Sequence, residues 1–235
     1  MPLRAFQPKN LNAQLVDALG KRLVSGYYAE GEKLPVEAEL CTEYGVSRPI
    51  LREVCKILMA KGLLVARPRT GTIVRPRTAW NVLDPEVLSW IIEARPEAEF
   101  LDLLFDLRRA FEPGAAELAA LNATAEDLEI IALAFQDMEA AENPEALLDP
   151  DIRFHQAIMD STHNELVAYI GRTLHTALAA SIRLTSRHPN THELSLPRHK
   201  AVYTAIVDKN PEEAREATLV LLRESRRDFD SVEHK

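Results

Sequence analysis

Two cysteines, Cys41 and Cys55, are all that the 235-residue chain contains, too few for a disulfide framework or a four-cysteine zinc module. Both fall in segments of helical apolar spacing, where a thiol reads as a small core residue. No apolar run reaches the roughly 18 residues that a membrane-spanning helix needs. The opening Met1-Pro2-Leu3-Arg4-Ala5-Phe6 also lacks the apolar stretch of a secretory signal, so the expectation is a cytoplasmic protein with no membrane partner. Glycine nearly vanishes after residue 78, where only Gly114 and Gly171 remain of eight in the chain. Few glycines mean few tight turns, so the back of the chain should be long helices with short connections.

What is present is 46% hydrophobic and 27% charged residues, the mix of a globular protein rather than a disordered or collagenous one. At roughly 150 residues per domain, the length allows one large or two modest domains. The net charge of -8 argues against a nucleic-acid partner until it is divided along the chain. Residues 1–78 hold 13 Lys and Arg against 7 Asp and Glu, a balance of +6, and residues 79–235 carry -14. A basic module ahead of an acidic one is the asymmetry of a chain whose first part alone meets a polyanion.

In the basic module, Leu11, Leu15, Leu19 and Leu23 recur every fourth residue and mark an amphipathic helix that Gly26 ends. A turn-rich link through Gly31 leads to a short helix over Glu37 to Tyr44 that buries Leu40 and Cys41, and Gly45 breaks it. Ser47 is placed to cap a third helix with its side-chain oxygen, and Pro49 fits the first turn. That helix runs to about Lys61. Beyond Gly62, Leu63 to Val65 and Thr72 to Val74 read as two strands joined by the basic turn Arg67 to Gly71. The order is that of a winged helix-turn-helix.

On the third helix Arg48, Arg52 and Lys56 follow at i, i+4 and i+8, within an arc of about 80°. Leu51, Val54 and Leu58 point the opposite way. A cationic row on that helix suits double-stranded operator DNA, because Arg can make a bidentate contact with guanine or bridge phosphates. Arg67 and Arg69 on the wing, with Thr70 and Gly71, would lie near the backbone or minor groove. Taken singly, each cation is equally a solvated surface group.

The run LPVEAELCTEYGVSRPILREVCKILMAKGLL from Leu34 to Leu64, with Gly71-Thr72 after it, resembles the DNA-binding domain of the GntR family of bacterial transcription regulators. The resemblance implies DNA contacts at Arg48, Arg52 and the wing tip. It also marks two departures, Ala38 where many relatives carry arginine and Pro35-Val36 in place of Pro-Ser.

After the linker Arg75 to Leu83, helix starts are marked by Asp84-Pro85-Glu86, by Thr124 with Asp127, by Asp149-Pro150, and by Asn210-Pro211 with Glu213. Leu166, Ile170, Leu174, Leu178 and Ile182 form a four-residue seam suited to bundle packing. Six or seven helices are expected after residue 83. The fold class is therefore mainly α, with a winged helix-turn-helix over residues 1–78 and an all-helical bundle over 79–235.

Asp151 and His155 stand four apart and share a helix face; spacing alone leaves a surface pair and a metal-ligand pair both open. The segment Asp151 to His155, then Asn164, then His199 followed by Ala201, Val202, Ala205 and Ile206, resembles the FCD ligand-binding domain of FadR-type regulators. The resemblance implies a divalent metal ion, zinc or similar, on Asp151, His155 and His199. The register of the family's fourth ligand, a histidine, falls on Leu221, which should weaken binding; His163, His175, His188 or His192 remain substitutes. Arg108 matches an arginine that such domains direct into their pocket, where it would pair with an effector carboxylate. On spacing alone it is equally an exposed partner of Glu112. Ser195, four residues before His199, is a further effector contact.

The resemblance implies a homodimeric, effector-controlled regulator, a repressor, whose small carboxylate effector is a sugar acid. Two other readings compete. One is a sensor of another organic acid or an acyl-CoA on the same fold. The other is a metal-dependent enzyme, against which stands the lack of a His-Glu-x-x-His element, a nucleophile elbow or a phosphate loop.

Overall fold

The computed structural model describes residues 11–95, 97–185 and 191–233. It divides into two compact units, Met1–Pro96 and Glu97–Lys235. The first holds α1 (Leu11–Val24), α2 (Glu37–Tyr44), α3 (Arg48–Ala60), β1 (Leu64–Arg67), β2 (Gly71–Val74), a short 3-10 turn at Arg77–Ala79, and α4 (Pro85–Glu93). Leu15, Leu19 and Leu23 of α1 and Leu51, Val54 and Leu58 of α3 are fully buried in one core. Each such side chain contributes about 1.5–3 kcal/mol of burial free energy.

β1 and β2 pair antiparallel, Leu64 opposite Val74 and Arg67 opposite Gly71. The stretch expected to be a turn-rich link also joins this hairpin. Lys33 bridges to Ile73, the Leu34 N–H donates to the Thr72 carbonyl at 2.9 Å, and the Gly31 N–H to that of Val74 at 2.9 Å. No alternation in residues 31–34 announces this pairing; only the presence of β2 makes it.

Helix ends follow local chemistry where a side chain can reach. Asp84 caps α4 through the Glu86 and Val87 amides, with Pro85 in the first turn. Ser47 precedes α3 without any side-chain cap bond, contrary to expectation. Pro49 removes one of the two amide donors such a cap would engage. At α2 the Glu39 carboxylate accepts from the Val36 N–H at 3.3 Å, and the Glu39 N–H donates back to the Val36 carbonyl at 2.9 Å, because Val36 has no side-chain oxygen to cap the helix. The composition shift after residue 78 precedes α4, whose Val87 and Trp90 belong to the first core. There the α1 backbone passes so close to the Trp90 ring that a Cβ on Gly20 would lie 2.4 Å from it.

The described elements of the second unit are all helices: α5 (Glu97–Asn122), α6 (Ala125–Glu139), α7 (Pro144–Asp160), α8 (Glu165–Thr185), α9 (Thr191–Val207) and α10 (Pro211–Glu233). With α4 this makes seven described helices after residue 83. α10 packs on α5 and α9, and α7 on α6 and α8. Ala116, Ala119 and Ala120 let α5 approach a core of Ile131, Phe135, Met138, Phe154, Val202 and Ile206. Thr124 and Asp127 form the expected capping box, and the Asn210 side chain accepts from the Glu213 N–H.

Two expectations are corrected here. Asp149-Pro150 opens no helix: Asn143 caps α7 through the Ala146 amide, and Pro150 lies inside. Leu166, at the head of the proposed seam, is 73% exposed, whereas Leu174 is buried. The side chains of Leu178 and Ile182 lie outside the described residues.

Candidate functional site

The first unit carries a row of cations on α3. Arg48, Arg52 and Lys56 project from α3 into solvent, opposite the buried Leu51, Val54 and Leu58. A cleft of about 460 Å³ lies between α2, α3 and the wing, lined among others by Lys33, Glu37, Arg52, Lys56, Arg69 and Thr70. Arg69 forms the wing turn at φ 63°, a left-handed conformation costly for any residue with a Cβ and found where a turn must place that residue. Gly71, at φ 105°, completes the turn; a Cβ there would also meet the Lys33 side chain at 2.9 Å. Arg67, Arg69 and Thr70 are exposed. Lys33 joins this face through its bridge to β2, and no sequence signal marked it.

In the second unit, α5, α7 and α9 bring together five buried ionisable side chains, with the Ser195 hydroxyl beside them. Arg108 and Glu112 on α5 are joined at 2.5 and 3.2 Å, Arg108 Nε and Nη2 donating to the two carboxylate oxygens. Both face inward, so the exposed pair expected from spacing is instead a buried one. Glu112 Oε2 lies 3.1 Å from His155 Nδ1 on α7. On α9 the His199 Nδ1 lies 2.9 Å from the Ser195 carbonyl and 3.0 Å from its hydroxyl.

With each Nδ1 turned to an oxygen acceptor, each ring directs Nε2 to the same point. The two Nε2 atoms are 3.4 Å apart, and Asp151 Oδ1 is 3.2 Å from that of His155 and 3.6 Å from that of His199. Asp151 Oδ1 is buried without a well-aligned hydrogen bond. Three donor atoms thus converge with nothing but a proton or another cation to hold them together. Arg108 Nη2 stands 3.2 Å from His155 Nε2 and supplies part of that positive charge.

The electrostatics have the same cause. Burial raises the Glu112 carboxyl, but the charges of Arg108 and His155 outweigh it and hold the group at about 2. Burial also opposes ionisation of Asp151, and the two imidazoles overcome it, driving that carboxyl far below its usual range. Burial lowers His155, but the Glu112 charge and the bonds to Asp151 and Glu112 push it up to about 9.

Leu221, buried on α10, stands where the family register expects a histidine. It bounds, with Glu112, Phe154, His155 and Thr218, a void of about 10 Å³, at most one water. Of the substitute ligands, His163 is exposed and bonded to Asp127. His175, His188 and His192 lie outside the described side chains.

Comparison with known proteins agrees with both halves. Residues 11–74 match the gntR family of bacterial regulatory proteins and residues 103–224 match the FCD domain. The galactonate operon transcriptional repressor of Escherichia coli K12 is 35% identical over 229 residues, covering 95% of this chain and 98% of that protein. A putative L-lactate dehydrogenase operon regulatory protein of the same organism is 30% identical, over 92% of this chain and 84% of that one. Among solved structures, a GntR protein of Streptococcus agalactiae superposes with a TM-score of 0.52 at 28% identity, over 92% of this chain and 99% of that one. These relatives are regulators, not enzymes, and no described helix is long and apolar enough to cross a membrane. The chain therefore belongs to the GntR family of DNA-binding transcription regulators, with an FCD domain as its C-terminal half.

Proposed function

We propose that this regulator is a homodimeric repressor of sugar-acid catabolism genes that a carboxylate effector releases from its operator. The observation that carries this reading is the buried group of Arg108, Glu112, Asp151, His155 and His199. Burying five ionisable side chains is costly, and such clusters mark binding sites more often than structural cores. The similarity to a galactonate operon repressor along nearly the whole chain supports a sugar acid as the ligand.

The donor set suits a divalent metal. Asp151, His155 and His199 offer one carboxylate oxygen and two imidazole nitrogens within 4.8 Å of one another, all buried. A zinc-like ion held there would supply positive charge and open positions for effector oxygens. Leu221 contributes no ligand, so affinity should be below that of a four-ligand site.

The chain's own residues then do the switching. Arg108 exchanges the Glu112 carboxylate for that of the effector, and the Ser195 hydroxyl takes a further polar contact. The void of about 10 Å³ beside His155 is too small for a sugar acid, so binding requires these side chains to move. An effector that favours the rearranged state shifts the dimer away from the spacing its two reading heads need, in proportion to its difference in affinity for the two states.

The test is a fluorescence-anisotropy titration of the full chain on an operator chosen by in vitro selection. Galactonate, other sugar acids, lactate and an acyl-CoA are added with and without zinc. A sugar acid should weaken operator binding at least about tenfold, a coupling of roughly 1.4 kcal/mol. If none of the carboxylates changes the affinity, the proposal fails; a response to the acyl-CoA alone would move the ligand class.

A further inference from the structure

The three cations on the outer face of α3 are not equivalent. Arg52 is held by Glu37, fifteen residues earlier in the first turn of α2. Its Nε donates to Oε1 at 2.9 Å and to Oε2 at 3.2 Å, and its Nη2 donates to Oε2 at 3.0 Å. Lys56 is paired at 2.8 Å with Glu53 on its own helix. Arg48 has no carboxylate at ion-pair distance among the described residues, nor do Arg67 and Arg69.

The Glu37–Arg52 pair spans the helix-turn-helix, with the two side chains 47% and 63% exposed. An ion pair so wet adds little to stability. Its geometry does something else. A guanidinium has five N–H groups, and a carboxylate on its Nε/Nη2 edge uses two of them. What remains is the outer edge, Nη1 and the second Nη2 hydrogen, the spacing that spans O6 and N7 of guanine. The bond and charge of Arg52, with a smaller pull from the more distant Arg48 charge, also hold the Glu37 carboxyl below its usual range, so the pair persists at neutral pH. Both residues line the cleft between α3 and the wing.

We propose that Glu37 is a positioning residue that makes Arg52 a reader of one guanine rather than a phosphate-binding cation. The pair carries no net charge, so Arg52 adds little to counterion release. Arg48, Arg67 and Arg69, with no carboxylate at ion-pair distance among the described residues, supply the salt-dependent phosphate contacts. The proposal concerns DNA recognition only and is independent of the effector.

The experiment measures binding of the full-length protein at several salt concentrations to three duplexes: the selected operator, single G·C-to-A·T variants of it, and a random sequence. The proteins are wild type, Glu37→Gln, Arg52→Ala and Arg48→Ala, each checked for unchanged melting by circular dichroism. Glu37→Gln is expected to lower the operator-to-random affinity ratio about tenfold or more and to erase the penalty at one G·C pair. Arg52→Ala should erase the same penalty with little change in the salt slope, whereas Arg48→Ala should reduce that slope by about one. The proposal is overturned if Glu37→Gln leaves the affinity ratio and every base-pair penalty unchanged, or if Arg52→Ala reduces the slope as Arg48→Ala does.

Discussion

Arg108 and Glu112, one turn apart on α5, form a buried two-point ion pair whose carboxylate also meets His155 of α7 at 3.1 Å. Removing Glu112 takes the two-point carboxylate from Arg108 and the oxygen facing Nδ1 from His155, and breaking a buried pair typically costs about 3–5 kcal/mol. Glu112→Ala should therefore lower the unfolding free energy by about that amount in urea denaturation. The apolar pair Arg108→Met with Glu112→Leu should cost markedly less than Glu112→Ala; equal losses would show that the charges are not coupled.

Protons and metal compete at His155. Its folded-state pKa near 9 lies above the 6.5 of an ordinary imidazole, so without metal its contribution to stability is full below 6.5 and lost as pH rises through 9. Glu112, held near 2 against 4.5, contributes above 4.5 and loses its contribution as pH falls through 2. A metal must displace the His155 proton, so zinc affinity should rise by about tenfold per pH unit between pH 7 and 9. Competition with a chromophoric chelator measures it, and His155→Ala should flatten the slope.

Leu221→His places an imidazole on α10 facing the void shared with Glu112 and His155. If the ligand register holds, zinc affinity should increase by about tenfold or more, since tetrahedral zinc sites favour four ligands. The metal-free protein should melt lower, because a buried imidazole replaces a well-packed leucine. Unchanged zinc affinity would place the fourth position elsewhere.

Arg69 at φ 63° carries a strain of about 1–2 kcal/mol that glycine lacks. Arg69→Gly should leave the melting temperature unchanged or slightly raised while weakening operator binding and reducing its salt slope. Equal DNA affinity for mutant and wild type would remove Arg69 from the interface.

Val36→Ser would give α2 the side-chain oxygen its cap lacks, opposite a Glu39 already in place. The expected gain is about 0.5–2 kcal/mol in chemical denaturation. A null result would mean that the first turn of α2 is held by other contacts.

Much of the winged unit was legible because its signals are local. The leucine period of α1, the glycines after α2 and α3, and the Asp84-Pro85 start each act within one turn of chain. The Lys33 bridge was not, since it needs β2 as a partner. In the bundle, Asp149-Pro150 misled because local rules give way at the buried cluster. Pro113 follows Glu112 in α5, Pro150 precedes Asp151 in α7, and Pro197 lies between Ser195 and His199 in α9. Each proline removes an amide donor inside a helix, a cost that packing around the cluster offsets.

Residue order was enough to establish helices, strands, the basic and acidic halves, and the cationic row on α3, since these depend on neighbours a few positions apart. Which charges are neutralised was settled only by folding. Glu37 reaches Arg52 across the helix-turn-helix, and Glu112 turns inward to serve Arg108 and His155 together. The Glu37–Arg52 and Glu112–His155 contacts join groups from separate helices, and electrostatic attraction over about 3 Å acts only after packing has brought those helices together.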